Sequence, residues 1–434
     1  MKTDTIIIGG GIAGLSTAYH LKNKDFLLLE KESEVGGICR SIKTDNGFYY
    51  DYTGHLLHIK TDYAKSLIKK LLKNNLKLIS RNSSIYSNNT LTRYPFQANL
   101  YGLPKNIIEE CIKGLVELKL KNFRSSPLNP HLSFYDFCLN TFGTGISKYF
   151  MIPYNEKLWQ TNLKKLTTEW MGNYIPKPSL TEVIAGATTD NKKNIGYNAT
   201  FYYPQKGGIQ SLIDAIENEI PKTKIKTNCN IISIDISKNI VKTNYGEIQY
   251  KKIVSTIPLP ELVKLIKKPA SNVLNASRKL KWTSVLNINI GVQRENISDK
   301  HWIYFPEKKF SFYRVGFYHN FSKLLCPPRT SSMYIEISNL PIGQVNSQNI
   351  YKKVVNDLKI AKILKPSDKI ISKLILHIPY AYVIYNKERN FALQTIQSFL
   401  RKNDIFTIGR YSKWNYSTME EAILEGREIV KCLN

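Results

Sequence analysis

The chain has 434 residues, 42% of them hydrophobic, and 62 lysines and arginines against 34 aspartates and glutamates, a formal charge of +28. That length supports a sizeable core in two or three domains, and no apolar run of about 18 residues is present to span a bilayer. The basic residues are dispersed, with no arginine-rich arm or aromatic-interleaved basic repeat, which argues against nucleic acid as a partner. Lys, Asn and Ile are abundant together, as AT-rich coding produces. Six cysteines (Cys39, Cys111, Cys138, Cys229, Cys326, Cys432) form no C-x-x-C pair. This argues against a metal site or a disulfide framework and for a reduced, cytoplasmic setting.

The first element predicted is a strand. Ile6, Ile7 and Ile8 are continuous, β-branched and uncharged, as in a fully buried parallel strand. The short run leads straight into glycines, so no signal peptide is expected ahead of it. Gly9, Gly11 and Gly14 fit G-x-G-x-x-G, and Ile12, Leu15, Ala18, Tyr19 and Leu21 then recur at helical spacing. Gly9 allows the tight turn, Gly11 lets a pyrophosphate approach the backbone, and Gly14 lets the helix pack close to the strand. Ile12 and Ala13 open that helix, whose unpaired N–H groups favour phosphate. Phe26 to Leu29 read as the second strand. Glu30, 21 residues after Gly9, is close to the ~20 expected of an acid that accepts ribose hydroxyls, with Lys31 beside it. An acid at this place disfavours a 2′-phosphate and hence NADP.

Further on, Leu67 to Ile79 is a basic amphipathic stretch. A solvated surface helix is the first expectation and contact with a membrane surface the second. Residues 90–200 are helical in flavour, with Pro104 to Leu120 the clearest amphipathic helix. Gly207 to Pro221 reads as a helix stopped by proline. Asn230–Ile236, Asn239–Tyr250 and Lys252–Ile257 alternate as short strands. Ser284–Val292, His301–Phe305, Phe310–Tyr318 and Ser332–Ser338 also have strand character. Asp404–Val430 reads as strand, Gly-Arg turn and last helix. The expected architecture is α/β: a Rossmann-like nucleotide-binding domain in three parts (1–88, 204–275, 391–434), with a helical insertion (89–203) and an antiparallel-sheet insertion (276–390) that enclose a substrate chamber.

Gly36–Gly37, followed by Arg40 and Ser41, resembles the second glycine doublet of the FAD-containing amine oxidase superfamily, and the chain is also similar to the protoporphyrinogen oxidase group within it. Lys252–Pro260 and Asp404–Val430 resemble the family's returning strand and closing segment, where Gly409 and Arg410 would contact the cofactor. Three such segments in family order imply FAD rather than NAD, with Ile231 where the superfamily lays backbone against the adenine. "TGHLLH", "RYPFQANL", "MIPYNEKLW", "GYNATFYYPQKGG", "DKHWIYFPEKKFSFYR" and "GRYSKWNY" together resemble UDP-galactopyranose mutases, most closely the eukaryotic type, nearly collinearly along the chain.

This resemblance implies a set of roles. Tyr94, Phe96 and Gln97 would hold the uracil end, with Met151, Asn155 and Trp159 beside it. Asn198 and Tyr304 would line the diphosphate path. Arg314 would pair with the diphosphate, assisted by the hydroxyls of Tyr380 and Tyr416, and His55 would lie at the reactive edge of the isoalloxazine. Independently, Arg314 in an otherwise apolar strand demands an anion. The chain departs from the family at Tyr174, where a second diphosphate arginine would stand, at Ile152, where another arginine is common, and at Thr53, where Gly-Gly-His becomes Thr-Gly-His. The function implied is a flavoenzyme acting through flavin N5 on a nucleotide-linked or phosphorylated sugar. The alternative is an oxidoreductase of the amine oxidase and protoporphyrinogen oxidase group that transfers hydride to the flavin. A flavin-binding protein without catalysis fits the polar pocket residues less well.

Overall fold

The computed structural model describes residues 1–122, 132–172, 174–190, 195–196, 198–339 and 347–433. β1 (Thr5–Ile8) is buried along its whole length at the centre of a five-stranded parallel sheet, followed by α1 (Ile12–Leu21) and β2 (Phe26–Leu29). The order across the sheet is Ile405–Thr407, Lys252–Ser255, β1, β2 and Ile225–Lys226. Successive strand side chains point to opposite faces, which explains the uniform apolar runs. Ile6, Leu27 and Ile253 pack into one core, while Ile7, Leu28 and Val254 pack into the other. A sheet covered on both faces leaves no place for polar alternation.

A seven-stranded sheet carries the insertions. Its order is Ile370–Ile384, Lys281–Val292, Ser331–Asn339, Arg314–Phe317, Trp302–Tyr304, Ser83–Ser87 and Thr90–Arg93. Ser83–Ser87 runs parallel to Trp302–Tyr304, whereas the other neighbours pair antiparallel. Helices Lys105–Asn122, Phe134–Ile146, Ile152–Trp159 and Leu180–Thr188 make the helical insertion.

The expected seams shift in three places. Ser83–Ser87, placed by sequence in the nucleotide domain, belongs to the insertion sheet, and Leu76–Ser80 pairs with Thr200–Pro204. The boundary at 275 falls inside helix Ser271–Lys279, and the one at 390 falls inside helix Arg389–Lys402. In each case a long-range strand or helix contact, invisible to local composition, decides the boundary. The stretch Leu67–Ile79 also divides. Helix Asp62–Leu72 ends before strand Leu76–Ser80, and its apolar face (Ala64, Leu67, Ile68, Leu72) is buried in the protein core. The face that would enter a membrane is therefore already used. Among the described residues no helix is long and apolar enough to cross a membrane.

Candidate active site

The site begins at the turn after β1. Gly9 has φ +97°, a conformation other residues adopt only with strain, and the chain reverses there into α1. A Cβ on Gly14 would collide with the Gly9 carbonyl oxygen, so this glycine sets how closely helix and strand pack. At Gly11 the result is opposite: a Cβ would meet nothing within 4 Å. The space in front of Gly11 is open, and no side chain caps the N-terminus of α1. Unfilled space at uncapped helical N–H groups is what a diphosphate requires.

Glu30 is buried at the end of β2. Its Oε2 accepts from the Gly10 N–H (2.7 Å) and its Oε1 from the Glu32 N–H (2.9 Å). A carboxylate offers about four acceptor positions, so two hydroxyls of a ribose can still be received. Gly36 N–H donates to the Gly10 carbonyl at 2.7 Å, drawing the second glycine doublet against the first loop. Arg40 braces that doublet, donating from Nε to the Gly37 carbonyl (2.9 Å) and from Nη2 to the Tyr52 hydroxyl (2.9 Å). Gly409, also at positive φ (+78°), lies against Ala13, and its N–H donates to Glu425 at 2.6 Å. The Thr256 hydroxyl, after the returning strand, lies 3.0 Å from the Ile8 carbonyl and 3.1 Å from the Gly9 carbonyl, so the three family segments converge on the loop after β1 and the cradle fits a dinucleotide.

Three other residues expected at the cofactor, Lys31, Ser41 and Ile231, lie in different settings. Lys31 extends into solvent, 3.5 Å from Glu32. The Ser41 hydroxyl is spent on Asp51 (2.5 Å). Ile231 begins the small antiparallel sheet and is half-buried.

Beside this cradle lies a cavity of about 220 Å3. His55, Asn198, Tyr304, Arg314, Arg410 and Tyr416 line it, as does Tyr174. His55 arrives because Gly54 fits over the Tyr334 ring, where any Cβ would collide. Glu420 then pins the end of the same loop, accepting from the N–H groups of Lys60 (2.9 Å) and Thr61 (2.7 Å). Burial, seconded by the Arg410 and Arg314 charges, lowers the His55 pKa to about 4 against a backbone hydrogen bond to Thr53, so the imidazole is neutral at ordinary pH. Its Nδ1, Arg410 Nε and Ser417 Oγ are buried with no hydrogen-bond partner among the described residues. Such orphans are costly unless a ligand meets them.

Arg314 has an anion already. Its Nε and Nη2 grip Glu336 Oε2 (2.5 Å) and Oε1 (2.8 Å) across the strand pair, and Glu336 is fully buried. The anion demanded by the sequence is therefore supplied, at least in part, by the protein. Glu336 was missed in the sequence, although it is the single carboxylate of strand Ser331–Asn339, directly opposite Arg314 in register. The fork uses two of the three guanidinium nitrogens and leaves Nη1 for a ligand.

Tyr380 requires correction. Its hydroxyl donates to Glu261 and its ring stacks on Trp282 at 4.8 Å, outside the chamber. Tyr382 lines the chamber instead, its hydroxyl 3.5 Å from that of Tyr313. The register of this strand against its neighbour is irregular between Thr283 and Val285, so strand alternation alone does not predict which tyrosine turns inward.

The expected uracil group also lies outside the cavity wall. Phe96, Met151 and Trp159 are buried, and Phe96 stacks on Phe150. The Gln97 amide donates to the Pro176 carbonyl (2.8 Å) and the Asn155 amide to the Met151 carbonyl (2.7 Å), while Asn155 accepts from the Trp159 indole N–H (3.2 Å). Tyr94 packs on Tyr304 at 5.2 Å and under the Arg81 guanidinium at 4.6 Å. Asn198, on the wall, accepts from that same guanidinium. Tyr174 meets Tyr416 edge-on at 5.2 Å, and Arg410 lies over Tyr416 at 4.6 Å.

The chain matches the family described as flavin containing amine oxidoreductase over residues 12–434. Among solved structures it is similar to a reduced UDP-galactopyranose mutase, with TM-score 0.93 and 26% identity over 99% of this chain and 93% of that one. It is also similar in fold to a candidate protoporphyrinogen oxidase of Exiguobacterium (TM-score 0.75, 15% identity, 99% and 98% covered). A third similar fold is a putrescine oxidase bound to putrescine (TM-score 0.65, 13% identity, 100% and 99% covered).

Proposed function

The chain belongs to the flavin containing amine oxidoreductase family and is an FAD-dependent enzyme, and from that premise we propose that it acts on a nucleotide-linked or phosphorylated sugar, as a mutase. The observation that carries this reading is the convergence of Arg314, Asn198, Tyr304 and Tyr416 with His55 on one cavity beside the dinucleotide cradle. Similarity over 99% of the chain to a UDP-galactopyranose mutase supports it. FAD held by the Gly9–Gly14 loop, Glu30, Gly36–Gly37 and Gly409–Arg410 would supply the reactive isoalloxazine nitrogen.

The chain's own groups would then do the following. Arg314 Nη1 and the Tyr416 hydroxyl would hold the phosphate and stabilise it as a leaving group without moving a proton. Neutral His55 would offer a hydrogen bond rather than a charge. The aromatic wall of Tyr174, Tyr382 and Tyr416 would fix the sugar ring and exclude water.

A second reading, hydride-transferring oxidoreductase, is favoured by one feature. Glu336 offsets the charge of Arg314, and Tyr174 adds none, so the chamber holds a dianion less strongly than two free arginines would. The deciding experiment reduces the flavin anaerobically, adds UDP-galactose and analyses the sugar products. Ring-isomerised product supports the mutase. Absence of any product, with no binding of UDP to wild type or to Tyr174→Arg, ends the nucleotide-sugar reading and leaves the oxidoreductase.

A further inference from the structure

Helix Ile152–Trp159 sends one charged side chain away from solvent. The Lys157 ammonium donates to three backbone carbonyls, those of Phe305 (2.8 Å), Glu307 (3.0 Å) and Phe312 (2.5 Å). An ammonium has three N–H donors, and all three are used on one loop. That loop connects strand Trp302–Tyr304 to strand Arg314–Phe317. Its ends meet where the Phe305 N–H donates to the Tyr313 carbonyl at 2.9 Å. Tyr304, Tyr313 and Arg314, which flank it, all line the chamber.

Elsewhere the Phe310 N–H donates to the Glu307 carbonyl (3.3 Å), the Asn88 N–H donates to Glu307 Oε2 (3.1 Å), and Lys308 pairs with Glu156 at the surface (3.1 Å). Phe305, Phe310 and Phe312 cluster on one side with ring separations of 5.1, 4.8 and 5.9 Å. Asp357 accepts from the Ser311 N–H (2.8 Å) and hydroxyl (2.7 Å). Apolar rings tolerate sliding, whereas three carbonyls converging on one charge fix a single geometry.

We infer that Lys157 is a positioning residue for the chamber: its ammonium holds the loop from Phe305 to Phe312, and through it the placement of Tyr304, Tyr313 and Arg314. Lys157 touches neither cofactor nor cavity, and its effect is transmitted through the loop. The ligand part of this inference rests on the reading of the chamber as a phosphate site.

Charge makes the idea testable. Burial draws the Lys157 pKa down to about 7, with Asp357 and Glu307 opposing and Lys353 assisting. Below that value the ammonium serves three carbonyls. Above it the amine has two N–H donors and a lone pair, so one carbonyl loses its partner.

The experiment compares wild type, Lys157→Arg and Lys157→Met, all loaded with FAD, from about pH 6 to about pH 9. UDP affinity is read by calorimetry, and backbone amide exchange across residues 305–317 by mass spectrometry, corrected for intrinsic rates. Wild type should lose roughly tenfold more UDP affinity than Lys157→Arg as pH rises, because arginine stays charged. The loop should lose protection over the same range in wild type only, and Lys157→Met should lack that protection at every pH. A purely structural lysine would leave the pH dependence of wild type and Lys157→Arg alike, which overturns the inference even if Lys157→Met fails to fold. Should UDP bind none of the three while loop protection still follows the charge at 157, the nucleotide-sugar reading falls and the positioning role stands.

Discussion

In the nucleotide cradle the groups on offer are mostly backbone: N–H groups at the start of α1, the glycine doublet, and the Gly409 turn. In the chamber they are side-chain tips brought from the histidine loop, the insertion sheet and the closing segment. Behind the glycine doublet, Asp51 receives the Ser41 hydroxyl (2.5 Å), the Tyr203 hydroxyl (2.6 Å) and the Ile209 N–H (3.4 Å). A backbone site is lost when an atom fills the space in front of it, but it depends little on which side chains surround it. Side-chain sites depend on partners that cancel or redirect each other's charge, as Glu336 does for Arg314.

The sharpest way to break this contrast is at Gly11. Gly11→Val should leave the apo fold within about 1 kcal/mol, since the new side chain meets open space, but cut FAD affinity by about 100-fold or more by filling the phosphate position. Flavin content and the melting curve of apo protein measure the two effects separately. If stability falls as far as flavin affinity, the cradle is not the open site described.

Next comes the pair in the chamber. Arg314→Met should cost ~3–5 kcal/mol, because it leaves the buried Glu336 carboxylate unpaired, whereas Arg314→Met with Glu336→Leu should recover most of that. Denaturant unfolding of both proteins tests this, and FAD content should stay near one per chain. Equal destabilisation by single and double variants would mean that the unpaired carboxylate is not the source of the loss.

A smaller effect is expected at Glu30. Glu30→Ala should weaken FAD by about 10–100-fold, the worth of ~1.5–3 kcal/mol for a hydrogen bond to a charged group. The loss combines ribose contacts with the Gly10 and Glu32 N–H bonds, so Glu30→Gln should fall between. Titration of apo protein with FAD gives the ranking.

The smallest effects concern pH. His55 is already neutral above about pH 5, so kcat/KM should show no limb near the usual histidine pKa of about 6.5 from this residue. A limb there that disappears in His55→Gln would refute the burial argument. At Asp51, burial raises the carboxyl pKa to about 7, against hydrogen bonds from Ser41, Tyr203 and Ile209. The folded state then binds the proton more tightly than the unfolded chain. Its contribution is full below the ordinary carboxylate pKa and is lost as pH rises through about 7. Tm in wild type should therefore fall across that window more than in Asp51→Asn.

By itself the sequence determined the cradle. Strand, glycines, helix, second strand and acid are contiguous, and their geometry follows from local sterics: no Cβ at Gly9, Gly11 or Gly14, and a β-branched run with no polar residue. It also marked His55, Asn198, Tyr304, Arg314 and Tyr416 as candidates, and these share one cavity in the fold. Tertiary structure alone decided the rest. Glu336 faces Arg314 only because two strands pair in one register, and a register irregularity turns Tyr382 inward while Tyr380 meets Glu261. Phe96, Met151 and Trp159 are sealed by their neighbours, and Ser83–Ser87 joins a sheet whose other strands, Thr90–Arg93 apart, lie hundreds of residues away. Local rules govern backbone conformation because the forces act within a few residues. Which charged or aromatic tip meets which is set by long-range packing, where a shift of one residue changes every partner.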